Sequence, residues 1–358
     1  MCNCNNCKLK AAVFTGAHSP FEIREYEVQQ PPKGYVGLSL LASGVCGTDV
    51  HFHEGRLAGT PGTILGHEFV GRVDAVNCEC DLKPGDNAIV EIAIPCGKCE
   101  LCKAGDAANC VNMGVTNGEQ AEKAPYFHGG FAEYSFAPPA NIVKLAEGID
   151  PTAAAVFACP GPTAIHGIKL AVRGGVEMAE VKRAAVQGLG PVGMFAVIYL
   201  KALGVPEIVA ITNRHDEARM ELAKKLGATE VYDNETNMDN IAQLTDFDLV
   251  FEGSGNPKAI PTGMNLLRNR GTYIIPGQYS SSGGIEIQPQ VITFKALRIF
   301  GSSQYDYEDV ETYADFLDKN REIIPMIKQL ATEYKVEEIN KAFDDAKARK
   351  NIKTVLVK

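Results

Sequence analysis

The sequence predicts an α/β protein of two domains, one β-rich and one built on a doubly wound parallel sheet with helices on both faces. Three observations predict it. From Lys8 to Asp150, short β-branched runs are punctuated by Gly and Pro, the texture of strands joined by tight turns. From Val181 onward, strand-like and helix-like segments alternate, the pattern of a parallel sheet. At the first strand-to-helix junction of that second half stands GLGPVG, Gly188 to Gly193. A chain of 358 residues accommodates two domains of ordinary size, about 100–200 residues each.

In the first half the strand candidates are KAAVFTG, YVGLSLLASGV, FVGRVDAV and NAIVEIAI, with PPKG and KPGD as turn sequences. Loops of such a barrel-like domain are where function concentrates. The first loop cluster runs from Gly44 to Glu68 and holds Cys46, Thr48, Asp49, His51, His53, His67 and Glu68. Thiolate and imidazole are zinc's preferred ligands, so Cys46 and His67 are expected to hold a catalytic zinc. A catalytic zinc takes three protein ligands and keeps one position open. The candidates for the third are Cys159, Glu68, Asp49 and Asp150. Taken alone, Cys159 in AAAVFACPGPTAIHG reads more readily as a small buried hydrophobe than as a ligand.

The second cluster, PCGKCELCKAGDAANC, places Cys96, Cys99, Cys102 and Cys110 in a C-x2-C-x2-C-x7-C pattern. Four thiols close a tetrahedral site and leave no position for substrate, so a structural zinc is expected there. An iron–sulfur cluster also uses closely spaced cysteines, but the proline that commonly follows the last one is replaced by Val111. Cys78 and Cys80 fall outside both groups and are expected to be incidental, as are Cys2, Cys4 and Cys7 in the Asn-rich start of the chain. Of the eleven cysteines most fall in ligand-like spacings, which points to metal rather than to disulfides, since a core this large needs no staples.

The second half reads as strand AAVQGLG, helix MFAVIYLKALG, strand EIVAIT, helix HDEARMELAKKLG, strands EVYD and FDLVFEGSG, helix PKAIPTGMNLLR, strand GTYIIPG and final strand KALRIFG. Gly188, Gly190 and Gly193 form G-x-G-x-x-G after a strand and at the opening of a helix, the context in which the motif binds a dinucleotide. Gly188 permits the turn, Gly190 lets backbone approach a pyrophosphate, and Gly193 lets the helix pack close with its N-terminus aimed at the anion. An acidic partner for the adenosine ribose is expected about 20 residues on. That place reads Thr212-Asn213-Arg214-His215, and Asp216 fits better as a charge at the start of the next helix. Arg214 can pair a 2′-phosphate, and without a carboxylate nothing repels one, so NADP is favoured over NAD. The segment from Ser302 adds helices VETYADFLDKN and INKAFDDAKAR and a strand, KTVLVK.

A net charge of −9 argues against a nucleic-acid or anionic-membrane partner, and no apolar run approaches the roughly 20 residues of a membrane span. The start of the chain lacks a signal-peptide core, so a cytoplasmic location is expected.

Together these residues resemble the zinc-containing medium-chain alcohol dehydrogenase family. The resemblance rests on GVCGTDVH at Gly44–His51, GHE at Gly66–Glu68, the four-Cys lobe, GGFAEY at Gly129–Tyr134, the Cys159 segment and GLGPVG, in the family's order. It implies a GroES-like catalytic domain of residues 1–159, completed by 302–358, and a Rossmann dinucleotide-binding domain of residues 160–301, with the active site in the cleft between them. It implies Cys46, His67 and Cys159 as ligands of a catalytic zinc, with Glu68 beside the metal. Thr48 matches the hydroxyl that meets the substrate oxygen, and His51 the outer end of the proton relay. Thr163 and Val192 match positions near the nicotinamide, Pro191 belongs to the glycine loop, and Lys353 takes the place of a basic residue that meets the cofactor phosphates. Asn213 and Arg214 stand where the ribose is read.

The implied activity is reversible hydride transfer between a small alcohol and NAD(P), with one catalytic and one structural zinc per chain, in a homodimer or homotetramer. Ile92, Ala93 and Ile94 offer no aromatic wall, which favours a secondary or branched alcohol. A polyol or sugar-derivative dehydrogenase is the alternative, although such relatives often carry Glu where this chain has Cys159. A non-catalytic nucleotide-binding member of the fold is the remote alternative. His53 and His128 are expected to be structural or loop residues, and His166 to pack within a helix.

Overall fold

The computed structural model describes residues 8–278 and 282–358. Cys2, Cys4 and Cys7 lie outside the described residues. The chain divides into two compact units, one of Met1–Pro162 with Tyr305–Lys358 and the other of Thr163–Gln304. The sequence-based boundaries fell after residues 159 and 301.

In the first unit the buried faces of alternating apolar strands close around an aromatic centre in which Phe21, Phe131 and Phe343 pack edge-on or tilted, Phe21 to Phe343 at 4.6 Å between ring centroids. Its main sheet orders the strands Ala331–Lys335, Lys353–Val357, Val36–Gly44, Glu68–Val76, Asn87–Val90 and Ile142–Lys144, with Tyr134–Ala137 also pairing Val36–Gly44. The chain's last strand, Lys353–Val357, therefore pairs with Val36–Gly44, Leu356 against Ser43 and Val355 against Gly44. Two register shifts between Val36–Gly44 and Glu68–Val76 still leave Gly44 opposite Glu68.

Sequence patterning missed several elements here. The strand Ala331–Lys335 was not anticipated, because its residues are mostly polar and exposed. The presumed loop after Val45 is a helix, Gly47–His53. Its Thr, Val, His and Phe are weak helix formers, so propensity hides it. Tertiary packing and an Asp49 carboxylate that accepts from the Cys46 N–H at 2.9 Å hold it.

The second unit holds a parallel sheet in the order Glu230–Asp233, Glu207–Thr212, Arg183–Gln187, Phe247–Glu252, Leu267–Ile275, Arg298–Gly301. Numbered by position in the chain the order is 3-2-1-4-5-6, so the strand order reverses between Arg183–Gln187 and Phe247–Glu252. Helices Pro191–Ala202, Glu217–Leu226 and Ala259–Leu266 follow the strands as the periodicity requires. Asp216 caps the second of these, accepting from the Arg219 N–H at 3.0 Å, which explains its position better than a ribose contact does. No helix among the described residues is long and apolar enough to cross a membrane.

Candidate metal centres and cofactor loop

Strand pairing brings the first candidate metal site together. Cys46 follows the strand Val36–Gly44 and caps the helix Gly47–His53, while His67 immediately precedes the partner strand that Glu68 opens. Cys159 arrives from far along the chain, between helices Pro151–Val156 and Pro160–Arg173. Ligand atoms of Cys46, His67, Glu68 and Cys159 all lie within 4.8 Å of one another, and the two sulfurs are 3.9 Å apart. Two thiols, an imidazole and a nearby carboxylate are the donor chemistry of a tetrahedral zinc site, and the residues fit that ion. The imidazole is aimed by Asp49, which is buried and whose Oδ1 lies 3.3 Å from His67 Nδ1. That contact leaves Nε2 as the nitrogen for a metal.

The other third-ligand candidates have different duties. Asp49 orients His67, and Asp150 caps the helix Pro151–Val156 through the Ala153 N–H at 3.0 Å while pairing with Lys328 at 2.6 Å. The hydrogen bond to Cys159 and the charge of His67 hold the Cys46 thiol well below the ordinary range, against the effect of burial. The same contact and burial push Cys159 up. Burial lowers His67, but the charges of Asp49 and Cys46 outweigh it and the net shift is upward. Burial pushes Glu68 up to about 8, with Lys353 opposing.

Lys353 corrects the sequence reading. Its side chain is 2% exposed and its ammonium is ion-paired with Glu68, so in this structure it serves the metal centre rather than standing open to a cofactor phosphate. The pairing Gly44↔Glu68 beside Val355↔Gly44 dictates this, because it sets Glu68 and Lys353 on the two strands that flank Val36–Gly44, around one glycine. A Cβ on Gly44 would run into the Glu68 carboxylate and lie 2.8 Å from Lys353 Cε. A basic residue near the end of a chain carries no sign of such a partner.

Thr48 Oγ1 lies 3.7 Å from Cys46 Sγ, and His51 sits one turn further along the same helix. His51 is half-buried, its Nδ1 has no hydrogen-bond partner among the described residues, and burial holds it below the ordinary imidazole value. His53 stacks on Phe21 with ring centroids 5.6 Å apart and packs on Phe343. His128 bonds the Lys123 carbonyl at 2.9 Å within its loop, and His166 is buried in the helix Pro160–Arg173.

Cys96, Cys99, Cys102 and Cys110 form the second four-donor group within 4.8 Å. Their sulfurs accept backbone N–H groups: Cys96 from Cys99 at 3.4 Å, Cys99 from Cys102 at 3.5 Å and Cys110 from Cys96 at 3.2 Å. Such donors favour thiolates, and those of Lys98 and Cys99 draw Cys96 down to about 6. With four thiol donors gathered in one group, the lobe fits a closed zinc site. Cys78 and Cys80 lie outside both groups, with sulfurs 3.5 Å apart.

In the second unit the glycine loop has three distinct constraints. Gly188 adopts φ +92°, and a Cβ there would lie 2.6 Å from Ser254 Cα. Gly190 has no heavy atom within 4 Å of a Cβ and caps the helix that starts at Pro191, so its open face is available to a ligand. Gly193 packs against the Gly188 carbonyl with no room for a side chain. Val192 and Thr163 are half-buried, whereas Asn213 and Arg214 are exposed at the end of Glu207–Thr212. Sequence reasoning missed Arg219, whose Nη1 donates to the Leu189 carbonyl at 3.0 Å and so clasps the loop from the next helix. It also missed Asp233, which engages His215 Nδ1 at 3.0 Å and the Thr236 hydroxyl at 2.7 Å. Neither residue belongs to a motif.

A dinucleotide loop on a parallel sheet in one unit, and two thiol-rich groups able to hold a metal in the other, are the parts of a zinc-type dehydrogenase. Residues 191–319 match the family model for zinc-binding dehydrogenases, and residues 32–147 match that for the alcohol dehydrogenase GroES-like domain. D-xylulose reductase A of Aspergillus oryzae is 30% identical over 329 residues, 88% of this chain and 87% of that protein. The 5-exo-hydroxycamphor dehydrogenase of Pseudomonas putida is 28% identical, over 94% of this chain and 95% of that one. Among solved structures, an alcohol dehydrogenase from Thermotoga maritima superposes with a TM-score of 0.89 at 26% identity, covering 98% of this chain and all of that one. The chain belongs to the zinc-containing medium-chain alcohol dehydrogenase family and is an alcohol oxidoreductase of that family.

Proposed function

We propose that this protein oxidises a secondary or branched alcohol, reversibly, with zinc at Cys46, His67 and Cys159 and with NADP preferred over NAD. The observation that carries the reading is the meeting of those three donors, with His67 aimed by Asp49. When bound, zinc supplies Lewis acidity and nicotinamide supplies the hydride acceptor. The chain's own residues do the rest. Thr48, whose hydroxyl sits beside the metal ligands, takes the proton of the substrate hydroxyl. His51, held neutral by burial, receives it at the outer end. Glu68 and Lys353 pair with one another next to the two thiols. Half-buried Ile92 in place of an aromatic residue leaves room for branching.

The polyol reading keeps one observation in its favour, the 30% identity to a D-xylulose reductase. A panel of secondary alcohols, ketones and pentitols, assayed with both cofactors on enzyme of measured metal content, separates the two. We expect two zincs per chain and the best kcat/KM on a branched or secondary alcohol. A pentitol preferred over every simple alcohol would transfer the assignment to the alternative, and one zinc in a fully active preparation would remove the catalytic role of the metal.

Cofactor preference rests on Arg214, exposed where a ribose carboxylate would otherwise stand. NADPH is expected to bind about tenfold more tightly than NADH, the size of one charge-assisted contact. Arg214→Ala should erase most of that difference, and an unchanged ratio in a fluorescence titration would defeat the role given to Arg214.

We also infer a homodimer formed through the sheet of the second unit. Arg298–Gly301 is an edge strand whose outer side has no partner among the described residues, with Ile299 40% and nearby Phe294 80% exposed. An apolar open edge favours pairing with a second copy. Ile299→Lys should therefore shift the mass in sedimentation towards the monomer, and an unaltered dimer would place the interface elsewhere.

A further inference from the structure

Glu252 ends the fourth strand of the parallel sheet and is fully buried. Its carboxylate receives the Ser254 N–H at 2.7 Å, the Ser254 hydroxyl, the Gly255 N–H at 3.0 Å and the Gln278 side-chain amide at 3.1 Å. All four are uncharged donors, so the group is an acceptor on both oxygens and its charge has no cationic partner among them. The bonds tie together the loops that follow Phe247–Glu252 and Leu267–Ile275. The bundle touches the glycine loop directly, since the Gly253 N–H donates to the Gln187 carbonyl at 2.8 Å and Gly188 packs on Ser254.

The strand order sets what lies above this carboxylate. Phosphates belong at the glycine loop after the first strand, and the adenosine ribose at the end of the second, where Asn213 and Arg214 stand. A dinucleotide crosses the sheet at the reversal of strand order, so its nicotinamide half falls on the side of the fourth and fifth strands. Glu252 is the last residue of the fourth. The nicotinamide ring is positively charged when oxidised and neutral when reduced. A buried carboxylate with no cationic partner among the described residues acts on it at low effective dielectric.

We propose that Glu252 is a positioning residue for the nicotinamide half and that its charge makes the protein bind the oxidised cofactor preferentially over what neutral packing would give. This rests on the nicotinamide reading made above. The test is a pair of calorimetric titrations, NADP+ and NADPH, on wild type and two variants. Glu252→Gln removes the charge but keeps an acceptor for the loop N–H groups. Gln278→Lys leaves Glu252 in place and sets an ammonium against it. In both variants the ratio Kd(NADP+)/Kd(NADPH) should rise about tenfold, the scale of one nearby charge. Glu252→Asp keeps the charge and shortens the brace. It should weaken both forms together and leave the ratio alone. A ratio unchanged in Glu252→Gln, or in Gln278→Lys should Glu252→Gln fail to fold, overturns the proposal while leaving the dehydrogenase reading standing. Wild type that binds neither form overturns both.

Discussion

Cys159→Ser is expected to leave one zinc per chain in place of two and to lower kcat/KM for the alcohol by about a thousandfold or more, the loss of a Lewis acid worth several kcal/mol. Serine nearly matches cysteine in size, and the position is only half-buried, so the fold should survive. The hydroxyl, however, does not ionise near neutral pH and cannot replace a thiolate 3.9 Å from Cys46. The remaining zinc should sit in the Cys96–Cys110 lobe, whose four donors the change does not touch. Metal analysis together with activity decides the matter. If both zincs and most of the activity persist, Glu68, which lies within the same donor cluster, is the working third ligand.

Gly193→Ala is expected to cost about 1–3 kcal/mol of stability, by the usual scale of overpacking, and to abolish measurable dinucleotide binding at millimolar concentration. The new methyl would meet the carbonyl of Gly188. Backbone stands on both sides of that contact, so no side chain can swing aside, and the helix Pro191–Ala202 must lift away from the strand it follows. Its N-terminal N–H groups then no longer converge on a phosphate. Gly190→Ala is the informative control. Nothing lies within 4 Å of its Cβ, so thermal stability should hold while cofactor affinity falls through obstruction of the ligand alone. Equal loss of melting temperature in both variants would show that the two glycines do not have separate duties.

Local pattern made much of this legible. The glycine loop and the four-Cys lobe are compact motifs whose members lie within a few turns of chain, so spacing alone announces their chemistry. Alternating strand and helix texture was enough for the parallel sheet, because burial on both faces writes continuous apolar runs. The helix Gly47–His53 was not legible, since a short helix held by packing leaves a weak periodic trace. Arg219 and Asp233 escaped notice for a different reason: each acts through one contact made after folding, to Leu189 or to His215.

By itself the sequence determined the fold class through its strand and helix texture, its motifs carried the resemblance to the family, and local spacing marked the four-thiol lobe and the pair Cys46 and His67 as candidate donors. Tertiary structure decided the partners. Cys159, a candidate from the sequence and the resemblance, meets the other donors because helix packing carries it across 92 positions from His67 to 3.9 Å from Cys46. Lys353 was drawn from an expected phosphate contact to Glu68 because the last strand pairs with Val36–Gly44, and a buried carboxylate is costly unless a cation lies beside it. Which distant groups meet depends on strand register and helix packing, and neither has a local signature in the chain.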